Sequence, residues 1–199
     1  LNTQEWLDIV GTAHDVGFRT TSTIMFGHID TPVHWARHLM RIRSLQRRTG
    51  GITEFVPLPF VHMEAPLYLK GRARKGPTFR ETVLMHAVAR LALNPVITNI
   101  QVSWVKLGRK GVLACLDAGA NDLGGTLMNE SISRAAGTQQ GQEFPPHDME
   151  ALIRSIGREP MQRDTLYRPV AEDRRAAAMM AAELEPVVQT PPRKKAAVG

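Results

Sequence analysis

The fold is decided by residues 99–130, which read NIQVSWVKLGRKGVLACLDAGANDLGGTLMNE. Apolar and polar side chains alternate at its start, which predicts a β-strand over 99–106 with one polar face. A short helix near 111–118 and a second strand ending at Gly124 are expected to follow. The double glycine after that strand lets the backbone approach a ligand closely. A polar strand, a helix and a strand that runs into a glycine turn are typical of the mouth of a β/α barrel.

The rest of the sequence repeats this helix-then-strand order. Capping residues and helical or alternating periodicity set the bounds of each element. The predicted strands are 18–26, 52–58, 99–106 and 120–124, and the predicted helices are 3–16 (Thr3 as N-cap), 31–49 (Thr31 as N-cap), 78–93 (a Thr78–Glu81 capping box), 111–118, 127–136, 146–157 and 171–184. Repeated units of this kind predict a parallel sheet with right-handed crossovers. The fold class is therefore α/β, and four units amount to half of an eight-stranded barrel.

This pattern divides the chain into three expected parts. Residues 1–144 form the half-barrel, 145–184 a terminal helical extension, and 185–199 a disordered tail rich in proline and charge. The first residue is leucine and the sequence reads as helix almost at once. We therefore expect the chain to be a piece of a longer protein.

Composition argues against several classes of function. The net charge of +6 comes largely from an arginine-rich helix, 37–48, and from Arg193–Lys195. No aromatic residues interleave with these charges, so a solvated surface is expected rather than a nucleic-acid interface. No apolar run approaches the roughly 20 residues of a membrane span. The sequence has a single cysteine, Cys115, so an intrachain disulfide is excluded, which fits a cytoplasmic protein. We expect Cys115 to be a small core residue.

Polar side chains follow all four predicted strands, where a barrel collects its chemistry. The candidates are His28 and Asp30 in the first loop; Phe60, His62 and Glu64 in the second; Gln101, Ser103, Trp104 and Lys106 on the third strand; and Asn121, Asp122, Gly124, Gly125, Thr126, Asn129 and Glu130 around the glycine turn. His28 with Asp30 could bind a metal or exchange a proton, or Asp30 could simply cap the helix at Thr31. His62 and Glu64 have no recognised metal spacing.

Four segments, in this order and spacing, resemble one enzyme family. They read TTSTIMFGHIDTP (20–32), TGGITEFVPLPF (49–60), NIQVSWVKLG (99–108) and GANDLGGTLMNE (119–130). The family is the radical S-adenosylmethionine group that contains the 5-amino-6-(D-ribitylamino)uracil–L-tyrosine 4-hydroxyphenyl transferase, which is one half of FO synthase. The resemblance covers residues 3–168, including RDTLY before Arg168. The run MNESISRAAG (128–137) is most similar to the C-terminal half of the fused, two-domain FO synthase.

The resemblance implies a radical reaction. In this family a 4Fe-4S cluster cleaves S-adenosylmethionine, and the resulting 5′-deoxyadenosyl radical takes a hydrogen from tyrosine. The tyrosine Cα–Cβ bond then breaks, and the 4-hydroxybenzyl fragment joins the ribityl-uracil. Three cysteines in a C-x3-C-x2-C loop hold the cluster, and this chain has no such loop. The resemblance therefore implies barrel strands five to eight, no metal ligands in this chain, an N-terminal half-barrel and a fused second radical domain as partners, and no activity of the chain alone.

The resemblance also suggests roles for residues at matching positions. Thr23, Met25 and His28 would lie near the adenosyl end of the cofactor. The residues expected to face the uracil or the tyrosine are Gln101, Ser103, Trp104, Asp122, Thr126 and Glu130. No catalytic residue is assigned. Two alternatives remain open: a menaquinone-pathway enzyme of the same family (aminofutalosine synthase or dehypoxanthine futalosine cyclase), or a non-catalytic half-barrel that serves as a binding module.

Overall fold

The computed structural model of the chain describes residues 2–140 and 142–185. The predicted disordered tail, 185–199, lies outside the described residues except for Glu185. The helices are α1 (Thr3–Asp15), α2 (Pro32–Thr49), α3 (Pro66–Leu69), α4 (Phe79–Leu93), α5 (Trp104–Asp117), α6 (Ile132–Ala135), α7 (Pro146–Arg154) and α8 (Glu172–Met180), and the strands are β1 (Thr20–Phe26) and β2 (Ile52–Pro59). None of the helices in this described part is long and apolar enough to cross a membrane.

The two strands form a parallel sheet that continues as single bridges. β1 and β2 pair from Thr20 opposite Ile52 to Phe26 opposite Pro59. Beyond β2, Phe55 makes a parallel bridge with Ile100, and Gln101 makes one with Asp122. The mixed α/β fold with a small parallel sheet is thus confirmed. The predicted strands 99–106 and 120–124 are reduced to bridges, so four complete strands are not formed in the described residues.

The prediction of a strand over 99–106 is wrong from Trp104 onward. Helix α5 begins there, with Ser103 as its N-cap, and so it also starts earlier than the predicted 111–118. Gly108 interrupts the helix with φ 63° and ψ 179°. The buried apolar side chains of this segment are Trp104, Val105, Val112, Cys115 and Leu116, which pack with Leu123 and Phe144. This packing outweighs the local alternation that predicted a strand.

The prediction of a helix over 127–136 is also largely wrong. Only α6 is helical, because Leu127 and Asn129 adopt positive φ values of 48° and 58° that a right-handed helix does not allow. The carboxylate of Glu130 accepts the backbone N–H of Ile132 and of Ser133 at 3.0 Å. That carboxylate sets the start of the short helix.

The earlier helices follow their sequence signals closely. The capping box of α4 is confirmed, since Thr78 and Glu81 each accept the other's backbone N–H. Helix α2 begins with Pro32 and ends at Gly50, which is left-handed with φ 63°. The predicted N-cap Thr3 is wrong by one residue, because the Asn2 side chain accepts the N–H of Glu5 at 3.0 Å.

Two apolar cores hold these elements together. One lies between the sheet, α2 and α4 and includes Phe26, Leu39, Ile42, Phe55, Met85 and Leu93. The other lies between α5, α7 and the segment 120–123, and it contains Cys115, which is fully buried. The prediction that Cys115 is a core residue is therefore confirmed. Burial raises the pKa of its thiol to about 12.

Candidate functional site

The face of β1 that points away from the helices is open. Thr21, Thr23 and Met25 are exposed, whereas Ser22 and Phe26 on the other face are buried. Parallel sheets are normally covered on both faces. An open face on β1 therefore leaves room for another layer, and Thr23 and Met25, predicted near a cofactor, both lie on it.

The turn after β1 is organised by the carboxylate of Asp30. It accepts the backbone N–H of Gly27 at 2.9 Å, that of His28 at 2.8 Å and the indole N–H of Trp35. Burial alone would raise the pKa of Asp30, but the hydrogen bonds from Gly27, Trp35 and His28 lower it below its usual value. Asp30 thus shapes the turn before α2 through these three groups, whereas the N-cap of the helix is Thr31.

This turn gives a test of the Asp30 carboxylate. Asp30→Ala should destabilise the protein by about 2 kcal/mol at pH 7, because three N–H groups lose a charged acceptor. The pKa of Asp30 is depressed in the folded state, so its contribution is present at neutral pH and is lost as pH falls through that pKa. Chemical denaturation from pH 7 to pH 3 measures it. The control Asp8→Ala removes an exposed carboxylate whose only hydrogen bond with a described residue comes from Gln4. A pH-independent loss, or equal losses in both variants, would contradict the assignment.

His28 lies beside Asp30 at the same turn. Its Nδ1 is 3.3 Å from the Asp30 carboxylate and accepts the N–H of Ile29 at 2.7 Å. Nε2 therefore carries the proton and donates to the carbonyl of Met25 at 3.2 Å. Both ring nitrogens are thus engaged within the chain. The described residues contain no group of three His, Cys, Asp or Glu side chains that could hold a metal.

Loop 60–76 reaches the same end of the sheet. The ring of Phe60 meets the ring of His28 edge-on at 5.8 Å, and His62 meets Tyr68 at 4.7 Å. The backbone N–H of Glu64 donates to the carbonyl of Ala136 at 3.1 Å. The loops after β2 and after residue 124 are therefore joined by this hydrogen bond.

The third and fourth predicted sites are brought together around the double glycine. The side chain of Gln101 lies so close to Gly124 that a Cβ there would collide with its amide. The indole N–H of Trp104 donates to the carbonyl of Gly125 at 2.9 Å. Ser103 and Trp104 are both buried, and the hydrogen bond from Trp104 holds the glycine turn in place.

Asp122 is held by an arginine that the sequence analysis did not single out. Its carboxylate accepts the N–H of Gly124 at 2.6 Å and an N–H of Arg163. Arg163 also approaches Glu54 on β2, at 3.6 Å, and its guanidinium carbon lies 4.2 Å from the centre of the Tyr167 ring. Burial raises the pKa of Glu54, and the neighbouring Asp122 adds to this rise while Tyr167 and Arg163 oppose it. We call these four side chains the Arg163 cluster.

Two cavities are lined by residues of the third and fourth predicted sites. One of about 590 Å³ runs along residues 121–126 and is also lined by residues of α7 and α8 and by residues 158–163; Asp122 and Thr126 line it. The other, of about 500 Å³, is lined by Trp104, Gly108 and Phe144. The first cavity lies against the segment that ends the sheet.

Glu130 and Lys106 lie at the far side of this turn. Glu130 caps α6 with its carboxylate, and the ammonium of Lys106 donates to the hydroxyl of Ser133 at 3.0 Å. Burial lowers the pKa of Lys106, and the negative charge of Glu130 opposes that shift. Of the residues predicted to contact substrate, Asp122, Glu130 and Trp104 have their polar groups engaged within the chain. The side chains of Gln101 and Thr126 make no hydrogen bond with any other described residue.

Comparison with known proteins identifies the family. Residues 49–175 match the family described as the CofH/MqnC C-terminal region. The chain belongs to this family. The matched residues include β2, both bridges of the extended sheet and the whole Arg163 cluster. The glycine turn and Trp104, which bonds to it, therefore lie within the matched CofH/MqnC C-terminal region.

Curated relatives of this CofH/MqnC region carry the names of two enzymes. The chain is 54% identical over 170 residues to the 5-amino-6-(D-ribitylamino)uracil–L-tyrosine 4-hydroxyphenyl transferase of Methanopyrus kandleri, covering 85% of this chain and 46% of that protein. It is 53% identical over 173 residues to the FO synthase of Streptomyces coelicolor, covering 87% of this chain and 20% of that protein. It is 54% identical over 167 residues to the FO synthase of Mycobacterium leprae, covering 84% and 19%. The chain thus spans about half of the transferase and a fifth of the FO synthases.

Proposed function

We propose that this chain is the C-terminal part of a cytoplasmic radical S-adenosylmethionine enzyme. The complete enzyme would join the 4-hydroxybenzyl group of L-tyrosine to 5-amino-6-(D-ribitylamino)uracil, a step of deazaflavin (FO) biosynthesis. The observation that carries this proposal is the 54% identity, over 170 residues, to a protein named for that transfer. The FO synthase names of further relatives favour it over a menaquinone-pathway reaction.

The open sheet supports the proposal that the chain is half of a barrel. β1, β2 and the bridges at Ile100 and Asp122 follow one another in chain order, all parallel. This order is that of consecutive strands in a β/α barrel, and we assign them as strands five to eight. The missing half would cover Thr21, Thr23 and Met25 on the exposed face of β1. The FO synthase of Streptomyces coelicolor is about five times as long as the region that this chain matches. Such a protein has room for a further radical domain as well.

The described residues do not fit a 4Fe-4S cluster. Such a cluster is held by cysteine thiolates, and the sequence contains one cysteine. Cys115 is fully buried in the second core, where burial raises the pKa of its thiol to about 12. The cluster would therefore be held by another part of the complete protein, and this chain would contribute to binding the other molecules.

The roles of this chain's residues in the complete enzyme divide by position. Thr23 and Met25 on the open face of β1, with His28 at its end, would face the adenosyl end of S-adenosylmethionine. Gln101 and Thr126 carry polar groups without partners among the described residues, so they would contact the uracil or the tyrosine. The side chain of Ser103 also makes no hydrogen bond with another described residue, so it stays with them as a substrate contact. Trp104, Asp122 and Glu130 would hold the glycine turn and the loop after it in place.

A reconstitution experiment tests the proposed function. The complete protein, including the segment that we propose precedes Leu1, is loaded anaerobically with iron and sulfide and given S-adenosylmethionine, a reductant, tyrosine and the ribityl-uracil. We expect a product with the mass of the coupled 4-hydroxybenzyl–uracil compound. This chain alone is the matched control and should show neither the product nor a 4Fe-4S absorption. Turnover of a futalosine-type substrate instead, or a cluster in the chain alone, would refute the proposal.

A further inference from the structure

Lys106 is a half-buried cation at the mouth of the sheet. It lies in the first turn of α5, directly after the segment that bridges to β2 and to Asp122. Its Nζ donates to the hydroxyl of Ser133 at 3.0 Å, and Ser133 is only 2% exposed. One N–H of the ammonium group is therefore bound to the uncharged hydroxyl of Ser133, and two further N–H donors remain.

Three arginines, on α5, on α6 and in the loop 60–76, have hydrogen-bond or ion-pair partners among the described residues. Arg74 donates to both carboxylate oxygens of Glu81, at 3.0 and 2.9 Å. Arg109 is paired with Asp148. Arg134 donates to the backbone carbonyl of Glu130 at 2.9 Å. Lys106 differs from Arg74 and Arg109, because its only hydrogen bond to the described residues is to an uncharged hydroxyl. It differs from Arg134, because that arginine donates to two backbone carbonyls, those of Glu130 and Asn129.

Glu130, whose negative charge acts on Lys106, makes no ion pair with it. Both oxygens of Glu130 accept backbone N–H groups at the start of α6. No carboxylate of the described residues lies within ion-pair distance of Nζ, so Glu130 acts on Lys106 only from farther away. A partly buried ammonium in this situation gains from an external anion that supplies charge-assisted hydrogen bonds.

We propose that Lys106 binds the α-carboxylate of L-tyrosine. This inference rests on the proposed function, because the choice of anion comes from its two substrates. Tyrosine carries a carboxylate, whereas 5-amino-6-(D-ribitylamino)uracil has none. S-adenosylmethionine also carries a carboxylate, but we have assigned that molecule to the open face of β1. Ser133 fixes the direction of the ammonium, and the Glu130 cap fixes Ser133 through its backbone N–H at 3.0 Å. Lys106 is thus a specificity residue for the amino acid.

Equilibrium binding to the complete protein tests this proposal. The two probes are L-tyrosine and tyramine, the same molecule without its carboxylate. Lys106→Met should weaken tyrosine binding by about 10- to 100-fold, the loss expected for charge-assisted hydrogen bonds, and leave tyramine binding unchanged. Lys106→Arg should restore part of the affinity. The control Lys110→Met changes an exposed lysine on the same helix and should alter neither.

The outcomes separate this inference from the function on which it rests. If the wild-type protein neither binds tyrosine nor forms the coupled product, the proposed function fails and the inference fails with it. If the wild type does both and Lys106→Met binds tyrosine normally, only the inference fails. Equal losses for tyrosine and tyramine would also overturn it, since the loss would not depend on the carboxylate. Thermal unfolding of each variant identifies any that is misfolded, and Lys106→Gln then replaces Lys106→Met.

Discussion

Replacing Arg163 with alanine is expected to destabilise the protein by about 3 kcal/mol, because removing one partner of a buried ion pair leaves uncompensated charge. Arg163 donates to Asp122 and lies 3.6 Å from Glu54. The side chains of both carboxylates are only 9% exposed, so water cannot replace the lost cation. Chemical denaturation at pH 7, followed by tryptophan fluorescence, measures the change.

The pH dependence and a neighbouring arginine provide the controls for Arg163→Ala. Burial raises the folded-state pKa of Glu54, so its repulsion with Asp122 is full above that pKa and is relieved as pH falls through it. The difference in unfolding free energy between the wild type and Arg163→Ala should therefore become smaller at acid pH. Arg168→Ala removes an exposed pair with Asp164, at 2.9 Å, and should cost no more than about 1 kcal/mol. Equal losses for the two variants would show that the Arg163 cluster has no special role.

Gly27→Ala is expected to destabilise the protein by a similar amount. Gly27 directly follows the C-terminal end of β1. Gly27 has φ +89°, and a Cβ there would overlap the ring of Pro77 and lie 2.9 Å from its Cα. A backbone neighbour cannot move aside as a flexible side chain can. We expect a loss of about 3 kcal/mol, since the left-handed backbone and the overpacking each cost about 1–3 kcal/mol. The turn held by Asp30 should open at the same time.

Gly50→Ala is the matched control for the Gly27 substitution. Gly50 is also left-handed, with φ +63°, but nothing lies within 4 Å of its Cβ position. Its replacement should therefore cost only the free energy of placing an alanine in the left-handed conformation, about 1 kcal/mol. Denaturation midpoints of the two variants give the steric contribution by difference. If both midpoints shift equally, the contact between Gly27 and Pro77 has no energetic weight.

Elements with local signals were the ones that the sequence predicted well. The start of α4 depends on Thr78 and Glu81, three residues apart, and the end of α2 depends on Gly50. Each signal acts within one helical turn, so no distant contact can hide it. The parallel order of β1 and β2 followed from the single helix between them.

The errors occurred where distant packing or special backbone angles decide. Trp104 looks like part of an alternating strand, yet its indole bonds to Gly125 and its ring meets Phe144 edge-on at 5.6 Å. Leu127 adopts a positive φ although leucine favours helix. Lys106 was predicted on a strand and lies on a helix, so its contact with Ser133 could not be foreseen.

The candidate site was only partly predictable for the same reason. The sequence placed Gln101 near the double glycine, and the structure brings Gln101 and Gly124 into contact. It did not find Arg163, which lies 41 positions beyond Asp122. The motif RDTLY contains both Arg163 and Tyr167, but its letters alone do not say which carboxylates they meet.

The separation of Arg163 from Glu54 has a consequence for the order of folding. The two residues lie 109 positions apart, whereas β1 and β2 are linked by one short crossover. Contacts between distant residues close large loops, so they carry a larger entropy cost and tend to form late. We expect the sheet to assemble first and the Arg163 cluster to form afterwards. Arg163→Ala would then mainly speed unfolding and leave the folding rate nearly unchanged.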